Sequence, residues 1–97
     1  MRMAQQYIGT GRLGTHQSKA YTGTAGTIDN AIGNGIHKVR VVVTSAAYIK
    51  IGKDVTATSA DVYMAADAPE YFTVKPGEKV SAIQVSAGGT VHVTEID

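Results

Sequence analysis

Cysteine is absent from this chain of 97 residues, so neither a disulfide nor a thiolate metal site can form, and cysteine usage gives no sign of a redox compartment. Tryptophan is also absent, and leucine and phenylalanine occur once each, as Leu13 and Phe72. A core must therefore be built from smaller side chains that bury less area apiece. Association into a homo-oligomer is the expected supplement for so small a domain. Neither sign of charge dominates: nine Lys plus Arg stand against eight Asp plus Glu, a formal net charge of +1. That balance excludes a disordered polyelectrolyte and argues against a basic nucleic-acid binder. No apolar run approaches the roughly 20 residues that cross a bilayer, and Met1 to Gly14 lacks the apolar stretch of a signal peptide. Synthesis inside the cell without membrane insertion is the default expectation. The length admits one domain, since about 100 to 200 residues is usual.

What the chain does have is Cβ branching, with eleven Val, eight Ile and eleven Thr. Such side chains lose rotamer freedom in helices and pack well on a pleated surface, so the composition predicts an all-β protein. His37 to Thr44 is the clearest strand, with Val39, Val41 and Val43 on one face and Lys38, Arg40 and Val42 on the other. Ser45-Ala46 is expected to reverse the chain into a second strand, Ala47 to Ile51. Residues 52 to 60 break the alternation and read as an exposed loop. Short strands are expected at Asp61 to Ala65, Glu70 to Lys75, Val80 to Val85 and Thr90 to Ile96, with a weak, Gly-interrupted strand after Ala20. Asn34-Gly35 is a hairpin-turn signal, and Lys75-Pro76-Gly77-Glu78 has the residue pattern of a type II turn.

Short strands at spacings of about 8 to 12 residues, with turn chemistry between them, predict a small antiparallel β-sandwich with jelly-roll-like or Greek-key connections. The expected core is Val39, Val41, Val43, Ile49, Ile51, Val62, Met64, Phe72, Val74, Ile83, Val85, Val91 and Val93. Residues 1–19 show neither period and are read as an extended N-terminal arm, leaving residues 20–97 as the sandwich. Fully extended, at about 3.3 to 3.6 Å per residue, the arm would reach roughly 60 Å and could touch a neighbour. Tyr7, Ile8 and Leu13 are its candidate apolar anchors and Arg2 and Arg12 its candidate charge contacts. On this reading, deleting Met1 to Lys19 leaves the domain's melting temperature little changed.

No catalytic, cofactor or metal constellation stands out. Gly9-Thr-Gly11-Arg-Leu-Gly14 matches the dinucleotide pattern, but no hydrophobic strand precedes it and the residues after it are poor helix formers. His16, His37 and His92 lack close metal-ligand spacing, and Asp54 and Asp61 lack that of a calcium loop. Asp61, Asp67, Glu70 and Glu78 mostly neighbour loops, where solvation accounts for them. No particular Ser is paired with a His and an acid. Lys38, Arg40, Lys50 and Lys53, with Tyr48, could share a face of a hairpin from 38 to 53. That face is read as a solvated surface with edge-protecting lysines rather than a nucleic-acid platform.

From Ala47 to Asp97 the chain resembles the C-terminal half of short structural proteins encoded in the virion-assembly regions of tailed bacteriophages. The pieces that carry the likeness are Tyr48-Ile-Lys-Ile-Gly52, Thr56-Ala-Thr58, Pro69-Glu-Tyr-Phe72, Pro76-Gly-Glu-Lys79, Ser81-Ala-Ile83 and Gly89-Thr-Val-His-Val-Thr-Glu95. The resemblance implies a non-enzymatic β protein without cofactors, present in many copies on a particle. The leading expectation is a capsid cement or decoration protein, made in the host bacterial cytoplasm, that binds the major capsid protein or other virion proteins. The alternatives are a head-completion, tail or fibre-associated component and, from another class, a carbohydrate-binding β-sandwich.

Overall fold

Val39, Val41 and Val43 are fully covered while Lys38, Arg40 and Val42 between them are not, so strict alternation sets the inner and outer faces of that strand. The same rule extends through the computed structural model, which describes residues 11–97. Its strands are β1 (Leu13–Tyr21), β2 (Gly26–Thr27), β3 (Lys38–Val43), β4 (Ala47–Gly52), β5 (Val62–Met64), β6 (Glu70–Thr73), β7 (Lys79–Gln84) and β8 (Gly89–Ile96). They form two four-stranded antiparallel sheets packed as a sandwich, in the orders β1-β8-β3-β6 and β2-β7-β4-β5.

Each strand pairs with the one equally far from the other end of the chain: β1 with β8, β2 with β7, β3 with β6 and β4 with β5. Pairing of β3 with β8 and of β4 with β7 then closes the two sheets. This is the jelly-roll arrangement, a long hairpin wrapped on itself. Only the β4–β5 connection stays within one sheet; every other connection crosses the sandwich.

The core is a layer of small apolar side chains: Val39, Val41, Val43, Val91 and Val93 from one sheet, and Ala47, Ile49, Met64, Val80 and Ala82 from the other. Tyr21, Ile28, Ile32 and Val74 complete it, with Ile36, Ile51 and Phe72 packed at its margin. Three expected core members lie elsewhere. Val62 is 69% exposed and Val85 39%, and Ile83 is only half-buried. On β7 the inward face carries Val80 and Ala82, because β4 aligns Ala82 with Ile49 and Val80 with Ile51. Ile83 and Val85 therefore point outward, opposite to the sequence expectation.

Two turn expectations fare differently. At Lys75–Glu78, Gly77 has φ of +93° and the Glu78 N–H donates to the Lys75 carbonyl at 3.1 Å, the expected turn. Asn34-Gly35 is also a turn, closed by the Ile36 N–H on the Gly33 carbonyl at 3.3 Å. It makes no hairpin. Of the two residues only Gly35 takes positive φ, at +80°, whereas the tight hairpin turn requires it at both positions. The proposed hairpin from 38 to 53 is absent as well: β3 and β4 lie in different sheets, because Ser45-Ala46 carries the chain across the sandwich.

The arm boundary at Lys19 also moves. From His16 to Tyr21, β1 pairs residue for residue with Thr94 to Gly89 of β8, and beyond a bulge Leu13 opposes Ile96. The inward-directed polar side chains of β1 are satisfied by the loop after β2. Gln17 Nε2 donates to the Asn30 carbonyl at 2.8 Å, and Lys19 Nζ meets Asp29 at 2.8 Å. The strand ends in Tyr21, whose ring is 2% exposed and whose hydroxyl donates to the Ser45 carbonyl, tying β1 to the β3–β4 crossing.

Deleting residues 1–19 strips most of a sheet edge, so thermal denaturation should show a loss exceeding about 2 kcal/mol, or roughly 10 °C in Tm for a domain this size. Tyr21→Phe leaves the Ser45 carbonyl without that donor and should cost about 1 to 2 kcal/mol. Burial pushes the Tyr21 phenol above its ordinary value, and the Ser45 N–H, which donates to the phenol oxygen at 3.2 Å, opposes this only in part. The unfolded chain therefore ionises first. The phenol's contribution is fully present below about pH 10 and is lost as pH rises through the higher folded value. As pH rises past about 10 the stability gap between wild type and Tyr21→Phe should accordingly narrow.

Candidate functional site

The outward face of the β1-β8-β3-β6 sheet collects side chains from four strands in one cross-strand row. His16 opposes Thr94, Thr94 opposes Arg40, and Arg40 opposes Tyr71, so all four share a face. Leu13, placed beside Ile96 by the bulge, borders the row and is 74% exposed; Tyr71 is 50% exposed. Leu13, Gly14, His16, Arg40, Tyr71 and Thr94 line an open basin of about 680 Å³.

Within the basin His16 Nδ1 is hydrogen-bonded to Thr94 Oγ1 at 2.8 Å. The His16 ring also stacks on His92, with centroids 5.6 Å apart and planes 15° from parallel. Lys38 and Val42 flank Arg40 on the same face. Glu95 turns inward instead, where its Oε2 accepts the Gly33 N–H at 3.0 Å. Glu70 shares the other face with Val41. Of the residues that the register places on this outer face, none is an Asp or a Glu, and among the described residues no ion pair engages Arg40.

A second feature is apolar. Between the β5 and β6 edges lies a cleft of about 200 Å³ lined by Ile51, Val62, Tyr63, Met64 and Phe72, with Glu70 on its wall. Tyr63 stands edge-on to Tyr48, with ring centroids 6.3 Å apart. The outer side of β7 is closed by the loop after β4. There Ser81, fully buried, accepts the Ala57 N–H at 2.9 Å and the Thr27 hydroxyl at 2.9 Å.

The candidate residues of the arm separate. Arg2, Tyr7 and Ile8 lie outside the described residues. Arg12 sits at the root of β1, where its backbone N–H and carbonyl pair with Asp97 at 2.9 and 2.8 Å. Leu13 reaches the basin. Gly11 and Gly14 of the dinucleotide-like pattern serve the backbone's approach to β8, since a Cβ at Gly11 would lie 2.3 Å from Ile96 Cγ2. Gly14 is within strand β1 and opens no helix.

The cations grouped as one platform are divided. Lys38 and Arg40 face outward from one sheet, Lys50 faces outward from the other, and Lys53 is in the loop beyond β4. Among the described residues, no group of three or more His, Cys, Asp or Glu could hold a metal ion. The His16–Thr94–Arg40–Tyr71 row escapes sequence reasoning because its members come from four strands whose register only the folded sheet defines.

No protein-family model matches the chain, and neither a curated protein nor a solved structure matches it significantly.

The cleft yields a stability test. Val62→Ser should change stability by no more than about 0.5 kcal/mol, as an exposed substitution does, whereas Met64→Ala, at a 1% exposed site, should cost about 2 to 5 kcal/mol. Urea denaturation of both variants checks the contrast.

Proposed function

We propose that this protein is a non-enzymatic structural component of a tailed-phage particle, a cement or decoration protein that binds the shell of the major capsid protein and stabilises it. The observation that carries this reading is the distribution of exposed apolar side chains. Leu13 and Tyr71 flank Arg40 on one sheet face, and Val62 and Tyr63 stand beside the open cleft. Clustered apolar groups rimmed by polar ones are what contact surfaces present. The jelly-roll sandwich agrees with the fold that the resemblance over Ala47 to Asp97 implies.

A domain of this size offers a modest area per contact. Repetition over a shell turns many modest contacts into a strong collective one. Rigid strands suit that role, because docking then costs little ordering of the β domain.

Cosedimentation of the purified full-length chain with empty capsids, and separately with tails, of the cognate phage tests the reading. Saturable pelleting with capsids is expected. Recovery with tails alone would transfer the protein to a head-completion, tail or fibre station, and recovery with neither would reject a structural role in the particle.

A further inference from the structure

We infer that the outer face of the β1-β8-β3-β6 sheet is the docking surface for an acidic protein segment, with Arg40 as its central contact. The inference deepens the capsid reading by stating the chemistry of the partner. Its basis is charge complementarity. The face presents the cation Arg40 between Thr94 and Tyr71, and the register places no Asp or Glu on it. The whole chain is nearly neutral, at +1, so this one-sided composition is local.

The guanidinium of Arg40 has no carboxylate partner among the described residues, and it lines the basin between Tyr71 on one side and Thr94 and His16 on the other. A planar fork of donors in that setting matches a carboxylate in two-point fashion. Leu13 and Tyr71 supply apolar area on either side of the charge. Arg and Tyr set in an apolar surround are the residues that dominate protein interfaces. A nucleic-acid backbone would instead call for a dense basic stripe, and the exposed Leu13 would have no use there.

The test titrates an octaglutamate peptide against the full-length chain at low salt, in parallel with empty capsids of the cognate phage and with an oligothymidylate. Arg40→Glu should weaken octaglutamate and capsid binding by about tenfold or more, whereas Lys50→Glu, the same charge change on the opposite sheet, should stay within about twofold of wild type. Circular dichroism and Tm establish that the variants fold. If Arg40→Glu does not, Arg40→Gln and Tyr71→Ser replace it, with the same direction of effect expected.

Equal octaglutamate binding by wild type and the Arg40 variants would overturn the inference, as would equal losses in Arg40→Glu and Lys50→Glu, or no binding by wild type. Capsid binding that survives those results would leave the cement reading standing. Arg40-dependent octaglutamate binding without capsid binding would uphold the acidic-segment inference and reject the cement role. Tighter binding of oligothymidylate than of octaglutamate would overturn the inference in favour of nucleic acid.

Discussion

The antiparallel pairing of β3 with β8 is the constraint on which the rest of the molecule depends. It aligns Val41 with Val93 and Val43 with Val91, so the two most regularly alternating strands lay their valines side by side on the core face. Every other strand takes its place from this pair. β1 and β6 add on its two sides, and the crossings that leave it deliver β4 and β7 to the opposite sheet. The pairing joins segments about half a chain apart, so loop closure must be met before the valines are buried. Such topologies fold slowly compared with ones built from local contacts.

A core of Val, Ala and Ile gains little from any single side chain, at about 0.8 kcal/mol per buried methylene. Polar clips therefore matter where the chain leaves a strand and the ladder cannot satisfy the backbone. Tyr21 holds the crossing at Ser45, and Ser81 holds the loop at Ala57. The Thr44 hydroxyl receives the Thr90 N–H at 2.9 Å, and Glu95 receives that of Gly33. Each clip is a side chain from a strand or its end reaching a backbone group of a loop or a neighbouring strand. The loops that separate the strands are thereby fixed to the sheets.

How much of this was legible follows from the same physics. Alternation revealed β3, β4 and β8, because one face of each is apolar and the other mixed. It misled on β7, where Val80 and Ala82 look smaller than Ile83 and Val85. The smaller pair is inside because Ser81, on the other face, is buried and bonded beneath the loop after β4. β1 was hidden up to Lys19, since His16, Ser18, Gln17 and Lys19 give it two polar faces and the groups that satisfy the inner face, Asn30 and Asp29, belong to another segment. The Arg40 face was unreadable for a related reason: which residues oppose Arg40 is decided by two registers, and neither leaves a local trace in the sequence.

The geometry of the edges also bears on how this protein meets a partner. Exposed strand edges invite pairing with another chain. Here β2, β5 and β6 are only two, three and four residues long, too short to template much. The nine-residue β1 is the long edge, and it is blunted at both ends. Near its end, Gly26 lies so close that a Cβ there would stand 2.1 Å from the Ala20 carbonyl oxygen, and the Gln17 and Lys19 contacts hold the following loop alongside. At its start, the bulge between Leu13 and His16 breaks the ladder and re-aims the strand. With strand addition discouraged at every edge, contact falls to side chains, and the bulge that spoils the edge is the same feature that sets Leu13 beside the Arg40 row.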